Sequence, residues 1–269
     1  VSGIGQRSIW HWESGKRPTC SRDDLAGEEP LEIRVDGRPV SVTMRTPGRD
    51  RELAAGFLLG EGLISAAPDL RVIEPLTPDA TCNVVDALLS PDIAVDFERL
   101  TRHVFASSSC GVCGKVTIRS VHQQFPPVRS ELQISADALL ELAERARTRQ
   151  EVFERTGGLH AAAVFDADGR LLVLREDVGR HNAVDKVLGF GLLNALLPFD
   201  EHVLLVSGRS SFEIMQKALA GRIPIVAAVS APSTLAVQFA EASGQTLVGF
   251  LRAGRMNVYA GARRIRFGE

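Results

Sequence analysis

The sequence predicts an α/β protein with a layered C-terminal half built on a largely parallel sheet, preceded by a smaller α+β region. Three observations lead there. Helical and strand patterns alternate from about residue 179 to residue 260, as in chained βαβ units. The strand segments His202-Val-Leu-Leu-Val206 and Ile223-Pro-Ile-Val-Ala-Ala-Val229 are nearly all apolar, as strands covered on both faces should be. Before residue 126 the pattern is different, with short paired strands around one helical stretch.

Residues 1–30 are polar, contain glycine and show no period, which predicts a mobile arm or irregular lead-in. Leu31 to Arg45 alternates around Asp36-Gly37, with Leu31, Ile33 and Val35 before the turn and Val40, Val42 and Met44 after it. This spells a hairpin. Residues 49–63 read as a helix with Leu53, Phe57, Leu58 and Ile64 on its apolar face, against which Gly56, Gly60 and Gly62 count. Val72-Ile73 and Asn83 to Leu89 read as short strands. Pro126-Pro127 is a stop, so the boundary falls near 126–134 and divides the chain into regions 1–128 and 129–269.

Beyond it, Ser135 is placed to cap a helix over 136–153, with Leu139, Leu140, Ala143 and Ala146 as its apolar stripe. Strands Leu159 to Phe165 and Leu171 to Arg175 follow, joined by the Asp166-Ala-Asp-Gly169 turn. Helices over 179–197, 211–220 and 233–242 then alternate with strands over 202–206, 223–229 and 246–251, and a last strand covers 256–260.

Composition narrows the function classes. Of 269 residues, 45% are hydrophobic and 24% charged, which is ordinary for a globular chain and argues against disorder. Lysine and arginine total 31 against 33 acids, a net charge of -2, which argues against a protein that coats nucleic acid. No apolar run approaches the roughly 20 residues of a membrane span, and residues 1–20 carry no signal-peptide core. The expectation is a soluble cytoplasmic protein. Its four cysteines, Cys20, Cys82, Cys110 and Cys113, are too sparse for a disulfide framework.

In an α/β sheet, ligands collect beyond the carboxyl ends of the strands, where helices begin. Three such junctions here are unusually polar: Arg175 to Asn182, Ser207 to Glu213 and Ser230 to Thr234. Ser210 and Glu213 have capping-box spacing, so some of this polarity only starts a helix. Capping does not require Arg180, His181 or Arg209, whose charges favour a bound phosphate. The Gly249 to Asn257 segment adds Arg252 and Arg255 around a glycine turn, whereas Arg263, Arg264 and Arg266 read as a solvated basic tail. His160 reads as a core residue and His181 as one at a helix start, with phosphate positioning or proton donation as the functional alternative for both.

The sharpest local signal is Phe105-Ala-Ser-Ser-Ser-Cys110-Gly-Val-Cys113-Gly-Lys115. Its serines and glycines put both thiols on a flexible loop or at a helix start, with Lys115 near enough in sequence to stabilise a thiolate. A thiol of ordinary pKa, about 8.5, is only a few per cent ionised at neutral pH. No second C-x-x-C or finger-spaced histidine pair completes a zinc site; Cys20 and Cys82 are scattered partners. A thioredoxin motif would lie near the start of a βαβ unit. A Walker A loop has longer spacing and ends in Ser or Thr, where Val116 stands here. A zinc deaminase needs H-x-E and P-C-x-x-C, but alanines follow His160 and a serine precedes Cys110. A mobile nucleophilic thiol beside an anion pocket remains, with a non-catalytic nucleotide-cofactor carrier as the alternative.

The motifs, taken together, resemble those of the FdhD family. They are Ser108 to Lys115, Thr156 to His160, Glu176 to Lys186, Ser207 to Glu213, Phe250 to Tyr259, Glu29 to Arg34, Thr46-Pro47 and Glu52 to Leu58. The likeness runs from about residue 28 to residue 261. It implies a sulfurtransferase and chaperone that takes persulfide sulfur from a cysteine desulfurase. The sulfur then passes to the molybdenum (or tungsten) bis-pterin guanine dinucleotide cofactor, for apo formate dehydrogenase. It also implies a cytidine-deaminase-like fold without zinc, and a homodimer. Cys110 matches the family's persulfide cysteine and Cys113 the second of its pair. Phe250, Leu251, Arg252, Ala253, Gly254 and Arg255 match its cofactor-binding stretch; Arg180, His181, Ser207 and Arg209 join them on the junction argument.

Overall fold

The hairpin read at 31–45 forms as β3 (Glu29–Val35) and β4 (Arg38–Arg45), antiparallel. Asp36 and Gly37 both have positive φ, 49° and 78°, the turn whose twist matches that of the strands. The computed structural model describes residues 3–76, 83–93, 95, 97 and 125–268. The Phe105 to Lys115 segment and Cys82 lie outside these described residues. β6 (Val84–Leu89) pairs parallel with β3, and β5 (Leu70–Pro75) antiparallel with β6, giving the order β4-β3-β6-β5.

The expected irregular lead-in is instead a two-stranded hairpin, β1 (Ile4–His11) with β2 (Thr19–Ala26), in register from Ile4–Ala26 to His11–Thr19. Its strands are exposed along most of their length, so no inside-outside alternation is written into them. It is held at its base, where Gly27 N–H donates to Gly3 O at 2.7 Å and Arg155 pairs with Asp24 at 2.7 Å.

After the short β7 (Ile134–Ser135), which stands outside it, the larger sheet has the order β13-β12-β11-β10-β8-β9. Its strands are β8 (His160–Phe165), β9 (Leu171–Asp177), β10 (Val203–Val206), β11 (Ile225–Ala228), β12 (Thr246–Arg252) and β13 (Arg255–Ala260). Only β10-β11 and β11-β12 are parallel; β8-β9, β8-β10 and β12-β13 are antiparallel. The sheet is therefore mixed, not largely parallel. The reason is local: β8-β9 and β12-β13 are joined by turns too short for a crossover.

The single helix expected over 136–153 is two, α2 (Ala136–Arg147) and α3 (Glu151–Thr156). Ser135 caps α2, its Oγ accepting from Ala138 N at 3.1 Å. The break lets the Glu176 carboxylate accept from Val152 N at 3.1 Å and Phe153 N at 2.8 Å, satisfying free donors of the new helix start. Three helices follow between strands: α4 (Arg180–Leu193), α5 (Phe212–Ala220) and α6 (Thr234–Ser243).

Alternation along the central strands separates two cores. Ala163, Phe165, Val203, Leu205, Ile225 and Ala227 face α2 with Leu139 and Leu142. Ala162, Val164, Leu204, Val206, Val226 and Ala228 belong to the larger core, which α4–α6 fill. The same core continues through α1 (Asp50–Gly60) to Leu31, Ile33 and Val85 of the four-stranded sheet. α4 is buried almost all round, between α1 on one side and β8 and β9 on the other. The basic tail reading fails at Arg264, which is 1% exposed and donates to Ser130 O at 3.1 Å and Gly244 O at 2.7 Å. No helix among the described residues is long and apolar enough to cross a membrane.

The glycines that count against a helix at 49–63 explain its packing. A Cβ on Gly56 would lie 1.8 Å from Asp185 O, and one on Gly189 would lie 1.8 Å from Glu52 O. α1 and α4 thus cross backbone against backbone. Gly56→Ala or Gly189→Ala must force the helices apart, so each should cost about 3 kcal/mol or more. A thermal melt should show Tm falling by roughly 6–12 °C, and an unchanged Tm would mean the two helices part freely.

Candidate functional site

β9, β10, β11 and β12 all run toward one edge of the six-stranded sheet, and β8 starts there. Backbone hydrogen bonds stitch the loops at this edge into a continuous rim. Phe250 N donates to Ser230 O at 3.1 Å, Ser210 N to Ala231 O at 3.2 Å, and Ser233 N to Ser210 O at 3.0 Å. Ser207 exchanges two bonds with Ala161, its N–H donating to the carbonyl and its Oγ accepting from the amide, both at 2.9 Å. Four strand spacings separate β12 from β9, about 19 Å.

The rim gathers every described residue the sequence singled out for binding. Arg180 and His181 open α4, while Ser207 and Arg209 lie between β10 and α5. Phe250 to Arg255 form the end of β12, its turn and the start of β13. Arg252 and Arg255 face each other directly across that turn. Like charges in such a pair repel, which suits an anion between them. Among the described residues, Arg180, Arg209, Arg252 and Arg255 have no carboxylate partner, and Nε of Arg180 is buried without an acceptor. Leu251 is different: it is fully buried in the core on the α2 side, so only its backbone reaches the rim. Phe250 has φ 52°, an uncommon conformation for a bulky side chain. Gly249 beside it allows the kink, since a Cβ there would lie 2.9 Å from Pro232 and 3.0 Å from Tyr259.

The residue the sequence reading missed is Asp177, which is fully buried at the end of β9. Its carboxylate accepts from Gly179 N at 2.8 Å, Asn182 Nδ2 at 3.0 Å and Thr46 N at 3.1 Å, and meets Lys186 Nζ at 2.7 Å. Lys186 Nζ also donates to Thr46 O at 2.9 Å, and Asn182 Nδ2 to Met44 O at 2.8 Å. The constellation ties the end of β4 to the start of α4 and so positions Arg180 and His181. Its signal was present in the Glu176 to Lys186 motif, as a second acid and a lysine nine residues apart. Helix propensity alone gives such residues no inward direction.

The capping box expected at Ser210 and Glu213 does not form, and the cap lies one residue later. Ser211 is the cap of α5, and Ser210 is wholly buried. His160 is half-buried at the rim rather than a core residue, near Arg180 across Gly208. Burial, with the charge of Arg180, holds it below the ordinary histidine range. His181 is depressed further, to about 4, by burial, with Arg180, Lys217 and His160 adding and Glu213 opposing. Both imidazoles are therefore neutral near pH 7 and able to accept protons. Cys110, Cys113 and Lys115 lie outside the described residues, and Cys20 is exposed on β2. Among the described residues no group of three or more His, Cys, Asp or Glu could hold a metal ion.

The His181 shift has a thermodynamic consequence. Between about pH 6.5 and 4 the unfolded chain binds a proton that the folded chain refuses, so this residue lowers stability as pH falls through that window. The full effect is about 3 kcal/mol. Asp185, which burial pushes up to about 7 against the pull of Lys217, acts with the opposite sign, its contribution falling as pH rises toward 7. Denaturant unfolding from pH 7 to 4 should therefore show His181→Asn losing less stability on acidification than the parent. Parallel curves would refute a depressed His181.

Comparison with known proteins gives the chain its relatives. A relative from Streptomyces coelicolor named sulfur carrier protein FdhD is 52% identical over 255 residues, covering 90% of this chain and 89% of its own. One of the same name from Mycobacterium tuberculosis is 51% identical over 253 residues, covering 90% and 92%. A crystal structure from Desulfotalea psychrophila, assigned as a formate dehydrogenase accessory protein, superposes with a TM-score of 0.79 at 25% identity, over 98% of this chain and 99% of that one. The model of the FdhD/NarQ family matches residues 26–266, nearly the whole chain. On that match, and on relatives half identical along most of its length, the chain belongs to the FdhD/NarQ family.

Proposed function

We propose that this protein is a sulfur carrier that loads Cys110 with persulfide sulfur from a cysteine desulfurase. It passes the sulfur to a molybdenum or tungsten bis-pterin guanine dinucleotide, as a step toward active formate dehydrogenase. The observation that carries the reading is the rim: four arginines without described carboxylate partners, spread along one sheet edge beside two neutral histidines. Its length suits an extended, phosphate-bearing substrate better than a single small anion. The relatives' shared name and the family match support the sulfur half of the reading.

Arg252 and Arg255, at the Ala253-Gly254 turn, hold one phosphate group; Arg180, His181, Ser207 and Arg209 hold another. Phe250, with 36% of its surface exposed, offers a face for a base to stack on. The chemistry balances in two stages. First the Cys110 thiolate attacks the outer sulfur of the donor persulfide; the new S–S bond forms, the old one breaks and the donor leaves as a thiolate. Delivery as sulfide then takes two electrons. The Cys113 thiolate attacks the inner sulfur of the Cys110 persulfide, hydrosulfide departs, and a Cys110–Cys113 disulfide remains for a dithiol to reduce. In this reading the protein works in the cytoplasm as a homodimer and accompanies the substrate to the apo-enzyme.

Incubation with cysteine and a desulfurase, followed by digestion without reductant, should give a peptide holding Cys110 and Cys113 that is heavier by one sulfur. Cys110→Ala should abolish the gain. If no sulfur is added but guanosine diphosphate binds, the chain is a nucleotide-cofactor carrier and the transfer reading falls. Arg252→Ala and Arg255→Ala should each weaken guanosine diphosphate roughly 10- to 100-fold by calorimetry, the scale of one lost charged hydrogen bond. Unchanged affinity in both would remove the turn from the binding surface.

A further inference from the structure

Away from the rim, two surfaces of the chain stand uncovered among the described residues, and each carries what the other lacks. The first is the β1-β2 hairpin. Both tryptophans of the chain are on it, Trp10 near the end of β1 and Trp12 just beyond, 74% and 68% exposed. A two-stranded hairpin on its own is marginal in water, and this one is anchored at its base, by Gly27 to Gly3 and by Asp24 to Arg155 of α3. Strand alternation puts Ser8 and Trp10 on one face with their partners Arg22 and Cys20. On that face the Asp24 carboxylate is taken by Gln6 and Arg155. Arg22 is exposed and, among the described residues, has no carboxylate partner. On the other face Arg7 stands opposite Asp23. The Trp10 face is therefore apolar and cationic.

The second surface is the outer face of the β4-β3-β6-β5 sheet. Leu31, Ile33, Ile73, Val85 and Ala87 are buried on its inner face, so the residues between them point away from the core. The outer face holds Val42 and Met44 of β4, Leu88 of β6, and Val72 of β5 with Leu76 just beyond it, all exposed. Single exposed apolar side chains are ordinary, but five on one sheet face make a contact surface. Its charge is acidic on balance: Glu32, Glu74 and Asp86 against Arg34, which is bound to Glu32 at 2.5 Å. Glu74 and Asp86 stand directly opposite each other, one step along from the Val72-Leu88 pair. Two carboxylates so placed repel and favour a cation from outside. The spacing matches that of the hairpin, where Arg22 is one step along from the Trp10-Cys20 pair, about 7 Å in both cases.

We propose that the β1-β2 hairpin of one copy lies on the outer sheet face of a second copy, and the reverse, so that two copies exchange arms about a two-fold axis. Trp10 covers Val72 and Leu88, and Arg22 meets Glu74 and Asp86. An aromatic anchor beside a cation is the usual make-up of an interface centre. A second copy brings both surfaces at once: the exchange covers two hairpins and two faces, leaves neither over, and closes the assembly. Within the single chain the hairpin does not rest on its own sheet face. Asp24 ties it to Arg155, and the tryptophans and the sheet's apolar residues are exposed together. The dimensions suit the exchange. Strands of eight residues make the hairpin about 27 Å long, and four strands span about 14 Å. The inference takes from the sulfur-carrier reading only its homodimer and uses none of its chemistry.

The test is sedimentation equilibrium of the full chain from nanomolar to tens of micromolar, with reductant present so that Cys20 forms no disulfide, together with tryptophan emission. Because both tryptophans stand on the hairpin, the emission reports this contact directly. The parent should sediment as a dimer, and its emission should move to the red on dilution as Trp10 and Trp12 return to water. Trp10→Thr/Trp12→Thr should raise the dissociation constant of the dimer roughly 30-fold or more. Val72→Thr/Leu88→Thr, which keeps strand-forming residues in the sheet, should do the same, with the fold retained by circular dichroism. Charge exchange separates a lost contact from a lost fold. Arg22→Glu and Glu74→Lys should each weaken the dimer roughly tenfold. An equal mixture of these two variants should pair more tightly than either alone, since one of its contacts is native and the other is reversed as a whole. A parent that stays monomeric throughout overturns the proposal. So does a dimer whose emission is indifferent to dilution, or a mixture no tighter than its components. Sulfur loading of Cys110 is read separately by mass; its failure overturns the sulfur-carrier reading and leaves this contact standing.

Discussion

A carboxylate sealed from water has to find its partners inside the protein, and Asp177 finds them in two halves of the chain. Thr46 comes from the end of β4, Gly179 from the loop before α4, and Asn182 and Lys186 from α4 itself. A buried charge left without these contacts would cost several kcal/mol, so the first turn of α4 has little freedom to sit elsewhere. Arg180 and His181 are carried on that turn. The rim at this edge of the sheet is therefore placed by an interaction buried behind it.

A second constraint acts from the opposite face of α4. The helix meets α1 through glycine, with Asp185 O and Glu52 O occupying the space where side chains would be. Glu52 in turn grips Arg175 of β9 through two bonds of 2.6 and 3.0 Å, and Arg45 grips Asp50 at the start of α1 through bonds of 2.9 and 3.1 Å. Apolar burial supplies the bulk of the stability, but it has no direction. These paired charges and close crossings give the layers one relative position, and the rim inherits its geometry from them.

Much of this was legible in the residue order because it rests on local rules. The Asp36-Gly37 turn, the Ser135 cap and the βα alternation from 179 to 260 each follow from backbone preference or apolar period, and each is found. The rim residues were legible too, since strand ends in an α/β sheet are where polar side chains have few structural duties. What escaped was long-range. The β1-β2 hairpin is exposed on both faces and so carries no period; its anchor is Arg155 from a distant helix. The break before α3 depends on Glu176, more than twenty positions away in the chain. Arg264 looked like a surface charge because nothing local announces three oxygens waiting inside, those of Ser130, Gly244 and Thr246. The relation of Glu213 to His181 is of the same kind, set by two helices meeting side by side.

The turn that opposes Arg252 to Arg255 across Ala253-Gly254 has a mechanical side. Two cations held face to face at a hairpin tip repel one another, and in the proposed reading a phosphate between them would turn the push into a clasp. On that proposal, ligand capture and tightening of this tip would be one event. Added salt would quiet the repulsion without supplying the bridge, so under the same proposal a concentrated electrolyte would relax the tip and empty it together.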